Sequence, residues 1–232
     1  MASNYVVERN RQSQYSHTLT FAGDGVRLAA QIDYPRQSIN TNGTVPLLFV
    51  LPHAGCNSRD AYIHYARTAL SNGYAVFRWD KRGTGRSGAG GRGSTMQDAV
   101  LAYETALEQP RLDVSKVVIL AQSDASVMLG KSFGLYARLQ HPAGVILAGN
   151  MLDPEEILAI QAPVLVASGE KDWNDWRTFV NAAAEAHNQR YTHGAVGYVA
   201  DGADRMMMIE DGDHKSIHFG AQRVLGDWLA TL

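Results

Sequence analysis

Cysteine is almost absent from this sequence of 232 residues, which contains Cys56 alone. One cysteine cannot form an internal disulfide, and such sparing use is typical of proteins that fold in a reducing compartment. Long apolar runs are also missing, since no stretch of about 18 residues is apolar enough to cross a bilayer. Residues 1–16 are polar and lack the apolar centre of a secretory signal. We therefore expect a cytoplasmic protein with no membrane association.

The sequence also lacks an excess of either charge, because 21 lysines and arginines oppose 23 aspartates and glutamates, for a formal net charge of -2. This balance disfavours nucleic acid as a partner, since nucleic acid favours a basic patch. The one cysteine is isolated, which argues against a metal site. We expect no metal and no cofactor. The length, with 45% hydrophobic residues, fits one large core. We predict an N-terminal arm at residues 1–16 and a single domain at residues 17–232.

Short apolar runs alternate with amphipathic stretches along the chain, which is the pattern of a mostly parallel sheet flanked by helices. Two extended stretches at 17–21 and 26–34 come first, and the Gly-Asp-Gly between them predicts an antiparallel hairpin. The sequence therefore predicts an α/β fold, a doubly wound mostly parallel sheet with an N-terminal antiparallel hairpin. The later predicted strands lie at 46–51, 74–79, 117–120, 144–148, 164–167 and 206–209, and the predicted helices at 59–71, 96–109, 124–140, 176–186 and 219–232.

Two stretches between these elements stay without a firm assignment. Residues 187–204 are longer than a simple connection requires, and they suit either a pocket wall or the contact of a homo-oligomer. Residues 150–162 have room for one short helix, so we expect at most a very short lid over any site.

A serine occupies the predicted strand-to-helix turn at residues 121–125, which read Ala-Gln-Ser-Asp-Ala. Small residues two places before and after such a serine are typical of a nucleophile elbow. The usual form has glycine at both positions, whereas this chain has Ala121 and Ala125. Ser123 is therefore the candidate nucleophile, and it requires a base within hydrogen-bond reach.

The glycine-rich, basic loop at residues 80–87 has some likeness to a phosphate-binding loop. No Lys-Ser or Lys-Thr pair closes it as in a P-loop, and no helix begins at its second glycine. We predict that this loop is a structural turn after a strand.

The sequence resembles the α/β-hydrolase family in five stretches that occur in the family's order. The resemblance covers nearly the whole chain, and it implies the α/β-hydrolase fold with a triad in the order serine, acid, histidine. The five stretches are Pro52–Gly55, Asp80–Ser87, Ala121–Ala125, Gly169–Asp172 and Gly212–His214.

The resemblance implies that Ser123 is the nucleophile, Asp172 the acid and His214 the base. Asp172 ends a Gly-x-x-Asp turn after the predicted strand at 164–167, which is similar to the family's acid turn. His214 follows the predicted strand at 206–209, in a position similar to that of the family's histidine. Less favoured acids are Asp153 and Asp175, which suit helix caps, and less favoured bases are His187, His193 and His218.

The family's oxyanion hole uses two backbone N–H groups, which the resemblance assigns to Gly55 and Asp124. His53, Cys56 and Trp173 are the predicted substrate-pocket residues. A carboxylate at Asp124 would oppose the charge that forms beside it, unless it points outward at the helix start. An alternative register makes Asp124 itself the nucleophile, as in family members that cleave carbon–halogen bonds or epoxides.

The resemblance thus implies a serine hydrolase of the carboxylesterase type, which forms an acyl-enzyme with a small-molecule acyl substrate. An ester of a small or exposed substrate is the expected target, although thioester or amide cleavage uses the same machinery. The alternative from a different class is a hydrolase-fold protein that binds a small ligand without catalysis, because a fold does not guarantee activity.

Overall fold

Strands and helices alternate through most of the computed structural model, which describes residues 13–36, 43–172, 176–211 and 214–232. The strands are β1 (Ser13–Gly23), β2 (Val26–Pro35), β3 (Val45–Leu51), β4 (Ala75–Trp79), β5 (Leu112–Gln122), β6 (Gly144–Ala148), β7 (Val164–Gly169), β8 (Ala195–Ala200), β9 (Met208–Asp211) and β10 (His214–Ile217). The α-helices are α1 (Ile63–Ser71), α2 (Thr95–Leu107), α3 (Asp124–Leu139), α4 (Trp176–Arg190) and α5 (Phe219–Leu229). Among the described residues, no helix is long and apolar enough to span a membrane.

The main sheet of the described chain has eight strands in the order β1-β2-β4-β3-β5-β6-β7-β8. β1 and β2 pair as an antiparallel hairpin, and β2 is antiparallel to β4. The other described pairings of this sheet, from β3 with β4 to β7 with β8, are parallel. The predicted α/β fold with its N-terminal antiparallel hairpin is therefore confirmed.

The strands next to the candidate serine are buried on both faces, as parallel strands covered by helices are. Residues 118–121 of β5 and 145–148 of β6 have no exposed surface. Loops that follow the carboxyl ends of such strands are where open α/β sheets bind ligands. The sheet therefore places residues 123 and 149–151 at the edge where a site is expected.

The chain forms two compact units, of which the first comprises residues 1–50 and 56–117 and the second residues 51–55 and 118–232. In the first unit the Phe49 ring packs edge-on against Tyr103, with 5.1 Å between the ring centroids. In the second unit Trp228 of α5 covers the start of β6 so closely that a Cβ at Gly144 would lie 2.6 Å from its ring. Each unit thus has its own apolar core.

The C-terminal third differs from the prediction. The strand expected at 206–209 does not follow β7 in the main sheet, because β8 at Ala195–Ala200 pairs with β7. β9 instead pairs with β10 in a separate antiparallel hairpin that includes His214. The prediction missed β8 because Gly197 interrupts its apolar pattern and its side chains are mostly half-buried or exposed. The unassigned stretch 187–204 therefore ends α4 and supplies the edge strand.

His187 of α4 is fully buried, and its Nε2 donates a hydrogen bond to the Ile160 carbonyl (2.9 Å). Its Nδ1 is buried with no hydrogen-bond partner among the described residues. Burial lowers the pKa of His187, and the nearby His193 acts in the same direction, whereas the bond to Ile160 opposes both. The native protein therefore takes up a proton at this ring at lower pH than the unfolded chain does.

We expect the free energy of unfolding to fall as the pH drops below about 6.5, where the unfolded histidine becomes protonated and the native one does not. The slope from one such group is at most about 1.4 kcal/mol per pH unit. Urea unfolding between pH 7.5 and 5 would measure it, and His187→Gln should flatten the slope because glutamine can donate to the same carbonyl without titrating. The exposed His141→Gln is the matched control. An unchanged slope in His187→Gln would contradict this assignment.

Candidate active site

Ser123 stands alone between the end of β5 and the start of α3, in a sharp turn. Its backbone has φ 58 and ψ -125, a conformation that residues other than glycine rarely adopt. Its N–H donates to the Ala148 carbonyl of β6 (2.9 Å), which holds the turn against the next strand. Ala121 and Ala125 are both buried, so the turn leaves room for methyl groups in place of the usual glycines. The turn is centred on Ser123, whereas Asp124 is already the first residue of α3, which favours the serine register over the Asp124 register.

Ser126, one turn into α3, ties the elbow to the loop after β6. Its buried hydroxyl donates to the Ser123 carbonyl (2.5 Å) and accepts from the Met151 N–H (3.0 Å). The Ser123 hydroxyl itself lies 3.8 Å from the Met151 sulfur, within hydrogen-bond distance for sulfur. The Ser123 backbone is thus held by α3, and its partly exposed side chain contacts a thioether.

The loop after β3 carries one of the two predicted oxyanion donors, the Gly55 N–H, and the N–H groups of Ala54 and Gly55 already have partners. The Ala54 N–H donates to both carboxylate oxygens of Asp124 (2.9 and 3.0 Å). The Gly55 N–H donates to Nδ1 of His53 (2.9 Å), and a Cβ at position 55 would lie 2.3 Å from that ring. A substrate oxygen bound to the Gly55 N–H would therefore have to replace the His53 ring.

Asp172 lies after β7 at the sheet edge, and its side chain is only 1% exposed. Its carboxylate is 3.5 Å from Nε of Arg205 and 3.5 Å from the Ser168 hydroxyl. A buried carboxylate requires such partners because desolvation penalises its charged form. The described contacts of Asp172 therefore include an arginine. The resemblance implies that a histidine contacts Asp172 at this end of the sheet.

Two glycines make room for the segment that carries Arg205. Gly149 has φ 67, and a Cβ there would lie 3.1 Å from the Arg205 side chain. A Cβ at Gly169 would lie 1.7 Å from the Asp204 carbonyl oxygen, a distance that no side chain tolerates. The Asp204 carboxylate in turn accepts from the N–H groups of Met206 and Met208 (both 2.9 Å). This segment is thus packed closely against the ends of β6 and β7.

The candidate bases occupy different places. His214 begins β10 and pairs with Asp211, and its side chain lies outside the described part, so its relation to Asp172 stays a prediction. His218 precedes α5, where its Nδ1 accepts from the Ala221 N–H (3.3 Å) and caps the helix. His187 is buried against Ile160, away from any free surface.

The remaining predicted residues have simpler surroundings. Asp153 lies just before the short 3-10 helix Glu156–Ala159, and its carboxylate accepts from the N–H groups of Glu155 and Glu156. Cys56 is an exposed free thiol in the first unit. Trp173 and Asp175 lie outside the described residues. In the described ranges, no group of three His, Cys, Asp or Glu side chains could hold a metal ion.

Three residues of this site had escaped the sequence prediction. Ser126 had a local signal, since a second small polar residue follows the elbow at helical spacing. Met151 carried none, because nothing in its sequence neighbourhood indicates contact with Ser123. Arg205 could be found only with β8 in place, since it follows that strand by five residues.

Comparisons with known proteins agree with the fold described above. The model of a family described as "Serine aminopeptidase, S33" matches residues 45–173. No curated protein matches the sequence significantly. The esterase domain of a Rhodothermus marinus protein is 18% identical, with a TM-score of 0.66 over 94% of this chain and 99% of that one. A predicted hydrolase from Thermoplasma acidophilum is 16% identical (TM-score 0.64, 94% and 99%). A dienelactone hydrolase-like promiscuous phosphotriesterase from metagenomic libraries is 18% identical (TM-score 0.65, 94% and 96%).

Proposed function

Because the chain belongs to the serine aminopeptidase S33 family of α/β-hydrolases, we propose that it is a serine hydrolase that cleaves carboxylic esters of small or exposed substrates. The observation that carries this proposal is the backbone of Ser123, with φ 58 and ψ -125 between β5 and α3. A strained conformation of this kind costs about 1–3 kcal/mol, and such strain clusters at active sites. Such strain at the strand-to-helix turn supports a catalytic role for Ser123.

In this proposal Ser123 attacks the ester carbonyl while His214 takes its proton, and Asp172 stabilises the imidazolium that forms. The alkoxide is bound by the Asp124 N–H group and, once the His53 ring has moved aside, by the Gly55 N–H group. His214 then protonates the leaving alcohol, and water repeats the sequence to release the acid from Ser123. Asp124 supplies its N–H from the first turn of α3, where the helix dipole favours negative charge.

The chain around the site supports a small or exposed acyl group as the substrate. In residues 150–162, the place expected for a lid, the structure describes only the 3-10 helix Glu156–Ala159. We expect higher kcat/KM on short-chain than on long-chain p-nitrophenyl esters, and no activation by lipid interfaces. A strong preference for long chains would contradict this expectation.

Matched aminoacyl p-nitroanilides would separate ester from peptide-bond cleavage, because both reactions use the same acyl-enzyme.

A fluorophosphonate probe tests the proposal directly, because it labels serines that are activated as nucleophiles. We expect the wild type to be labelled at Ser123 and Ser123→Ala to lose labelling. Ester turnover should fall by about a million-fold in Ser123→Ala, as when the nucleophile of other serine hydrolases is removed. Ser132→Ala is the matched control, since its hydroxyl is also buried on α3 and donates to a backbone carbonyl, that of Met128, away from the elbow. Labelling that persists in Ser123→Ala would overturn the assignment.

Asp124 gives a second prediction about the same chemistry. Asp124→Asn keeps an oxygen that accepts from the Ala54 N–H and removes a negative charge next to the forming alkoxide. At a separation near 4 Å in water this charge is worth about 1 kcal/mol, so we expect kcat to rise about fivefold. Asp124→Ala loses the bond to Ala54 as well, and it should be slower than Asp124→Asn. Steady-state kinetics of both variants test this prediction. A kcat lower in Asp124→Asn than in wild type would show that the negative charge of Asp124 assists the reaction.

A ligand-binding protein without catalysis is the second candidate, and one observation favours it. The buried Asp172 is 3.5 Å from Arg205, so its charge is balanced without a histidine. The same probe separates the two functions. An unlabelled wild type that still binds short-chain esters reversibly would favour the non-catalytic protein.

A further inference from the structure

Met151 places a thioether directly against the candidate nucleophile. Its sulfur lies 3.8 Å from Oγ of Ser123, and both residues are partly exposed, so small solutes reach the pair. We propose that Met151 is an oxidation site that controls Ser123, such that sulfoxide formation at Met151 inactivates the enzyme. This inference rests on the proposed hydrolase function.

The loop that carries Met151 is built rigidly around it. The buried Asn150 side chain accepts from the Leu152 N–H and donates to the Leu152 carbonyl (both 2.9 Å), which closes a tight turn over Met151. The Met151 N–H donates to the buried Ser126 hydroxyl (3.0 Å), which also bonds the Ser123 carbonyl. Two sets of contacts thus fix the Met151 backbone relative to the elbow, which keeps its side chain anchored within reach of Ser123.

Sulfoxide formation at Met151 requires only a two-electron oxidant of the peroxide class. A lone pair on the Met151 sulfur attacks one oxygen of hydrogen peroxide, the O–O bond breaks, and the other oxygen leaves as water after a proton shift. The sulfur is oxidised to the sulfoxide and the peroxide is reduced. The reaction converts an apolar side chain into a polar one that is bulkier at sulfur.

The product acts on Ser123 through a hydrogen bond. A thioether is a weak acceptor, so the Ser123 hydroxyl can leave it for a base when substrate arrives. A sulfoxide oxygen is a much stronger acceptor, and it would hold the hydroxyl proton in competition with the base. The nucleophile would then be neither activated nor free to reach a carbonyl carbon. Enzymatic reduction of the sulfoxide restores the thioether and hence the activity.

The chain contains internal controls for this inference. Met128 on α3 and Met206 are partly exposed like Met151, whereas Met207 is fully buried. Met128→Leu and Met151→Leu remove one thioether each, and leucine nearly conserves the volume.

The test exposes wild type, Met151→Leu and Met128→Leu to graded hydrogen peroxide. Peptide mass mapping measures the oxygen gained at each methionine, and the rate of fluorophosphonate labelling measures Ser123. Each protein is compared with its own untreated sample. We expect wild type and Met128→Leu to lose labelling rate by about tenfold or more, equivalent to about 1.4 kcal/mol in the barrier. The loss should follow Met151 sulfoxide, Met151→Leu should retain its rate, and methionine sulfoxide reductase should restore the wild type.

Three results would overturn the inference: a Met151 that oxidises no faster than the buried Met207, a labelling rate unaffected by Met151 sulfoxide, or an equal loss in Met151→Leu. Absence of labelling before any peroxide would instead contradict the proposed hydrolase. Peptide mapping would then still decide whether Met151 is oxidised ahead of Met128 and Met206.

Discussion

Asp172→Asn should reduce ester turnover by about ten-thousand-fold, because a neutral amide cannot stabilise the imidazolium and favours the wrong histidine tautomer. Its matched control is Asp153→Asn, since Asp153 also follows a strand of the second unit, but its carboxylate accepts from the N–H groups of Glu155 and Glu156 beside a 3-10 helix. We expect Asp153→Asn to stay within about twofold of wild type, as substitutions away from a site usually do. Steady-state kinetics on a short-chain ester measure both.

A loss of folding must be separated from a loss of chemistry, because Asp172 is buried beside Arg205. Thermal unfolding of Asp172→Asn provides that check, and Arg205→Gln measures what the ion pair contributes by itself. If Asp172 served only as the partner of Arg205, both variants would lose stability alike and folded Asp172→Asn would turn over within tenfold of wild type. That outcome would remove Asp172 from the triad and support the ligand-binding alternative.

Asp80→Asn should lower the free energy of unfolding by about 3–5 kcal/mol, the usual cost of breaking a buried ion pair. Asp80 is 1% exposed and accepts from the Arg59 N–H (2.6 Å), the Arg59 guanidinium (2.5 Å) and the Arg86 N–H (2.9 Å). Replacing its charge leaves the buried guanidinium uncompensated and loosens the 80–87 loop. Guanidinium chloride unfolding at pH 7 measures the change.

Asp60→Asn is the control for this prediction. Asp60 also approaches an arginine, Arg78, at 4.0 Å, but its side chain is 53% exposed. Exposed pairs contribute about 0–1 kcal/mol, so this variant should be nearly neutral. Equal losses in the two variants would contradict the structural role assigned to Asp80.

The predicted structural role of the 80–87 loop agrees with this arrangement. Gly85 has φ 52, and a Cβ there would lie 2.4 Å from the Asp80 carboxylate. The carboxylate thus occupies the concave side of the loop that a phosphate would require. The glycines thus serve the turn itself, in agreement with the absence of a Lys-Ser or Lys-Thr pair after the second glycine.

A feature of this structure could be predicted from the sequence when its signal lay within a short stretch of the chain. The strand-to-helix turn at Ser123 was predictable because a short buried run, small flanking residues and a helix start lie within fifteen residues. β8 was not, because an edge strand with Gly197 and half-buried side chains has no clear alternation. Because β8 was not predicted, the features that depend on it could not be predicted either, including the approach of Arg205 to Asp172.

Asp124 shows a second limit of prediction from the sequence, which is that it does not reveal the partner of a long-range hydrogen bond. The sequence shows a carboxylate beside the nucleophile and indicates that its charge is awkward. Which N–H it accepts from depends on the loop 53–55, distant in sequence, so only the structure identifies Ala54 as the donor. Long-range hydrogen bonds of this kind carry no periodicity and no spacing rule.

The close contact of Gly169 with Asp204 limits which substitutions can occur at position 169. No residue with a side chain fits at 169 while the Asp204 carbonyl keeps its place. A substitution there would push away the segment that carries Arg205, and would separate it from Asp172 without altering either residue. The contact between Asp172 and Arg205 therefore depends on a glycine that touches neither side chain. A relative in which this glycine has changed should differ at Arg205 as well.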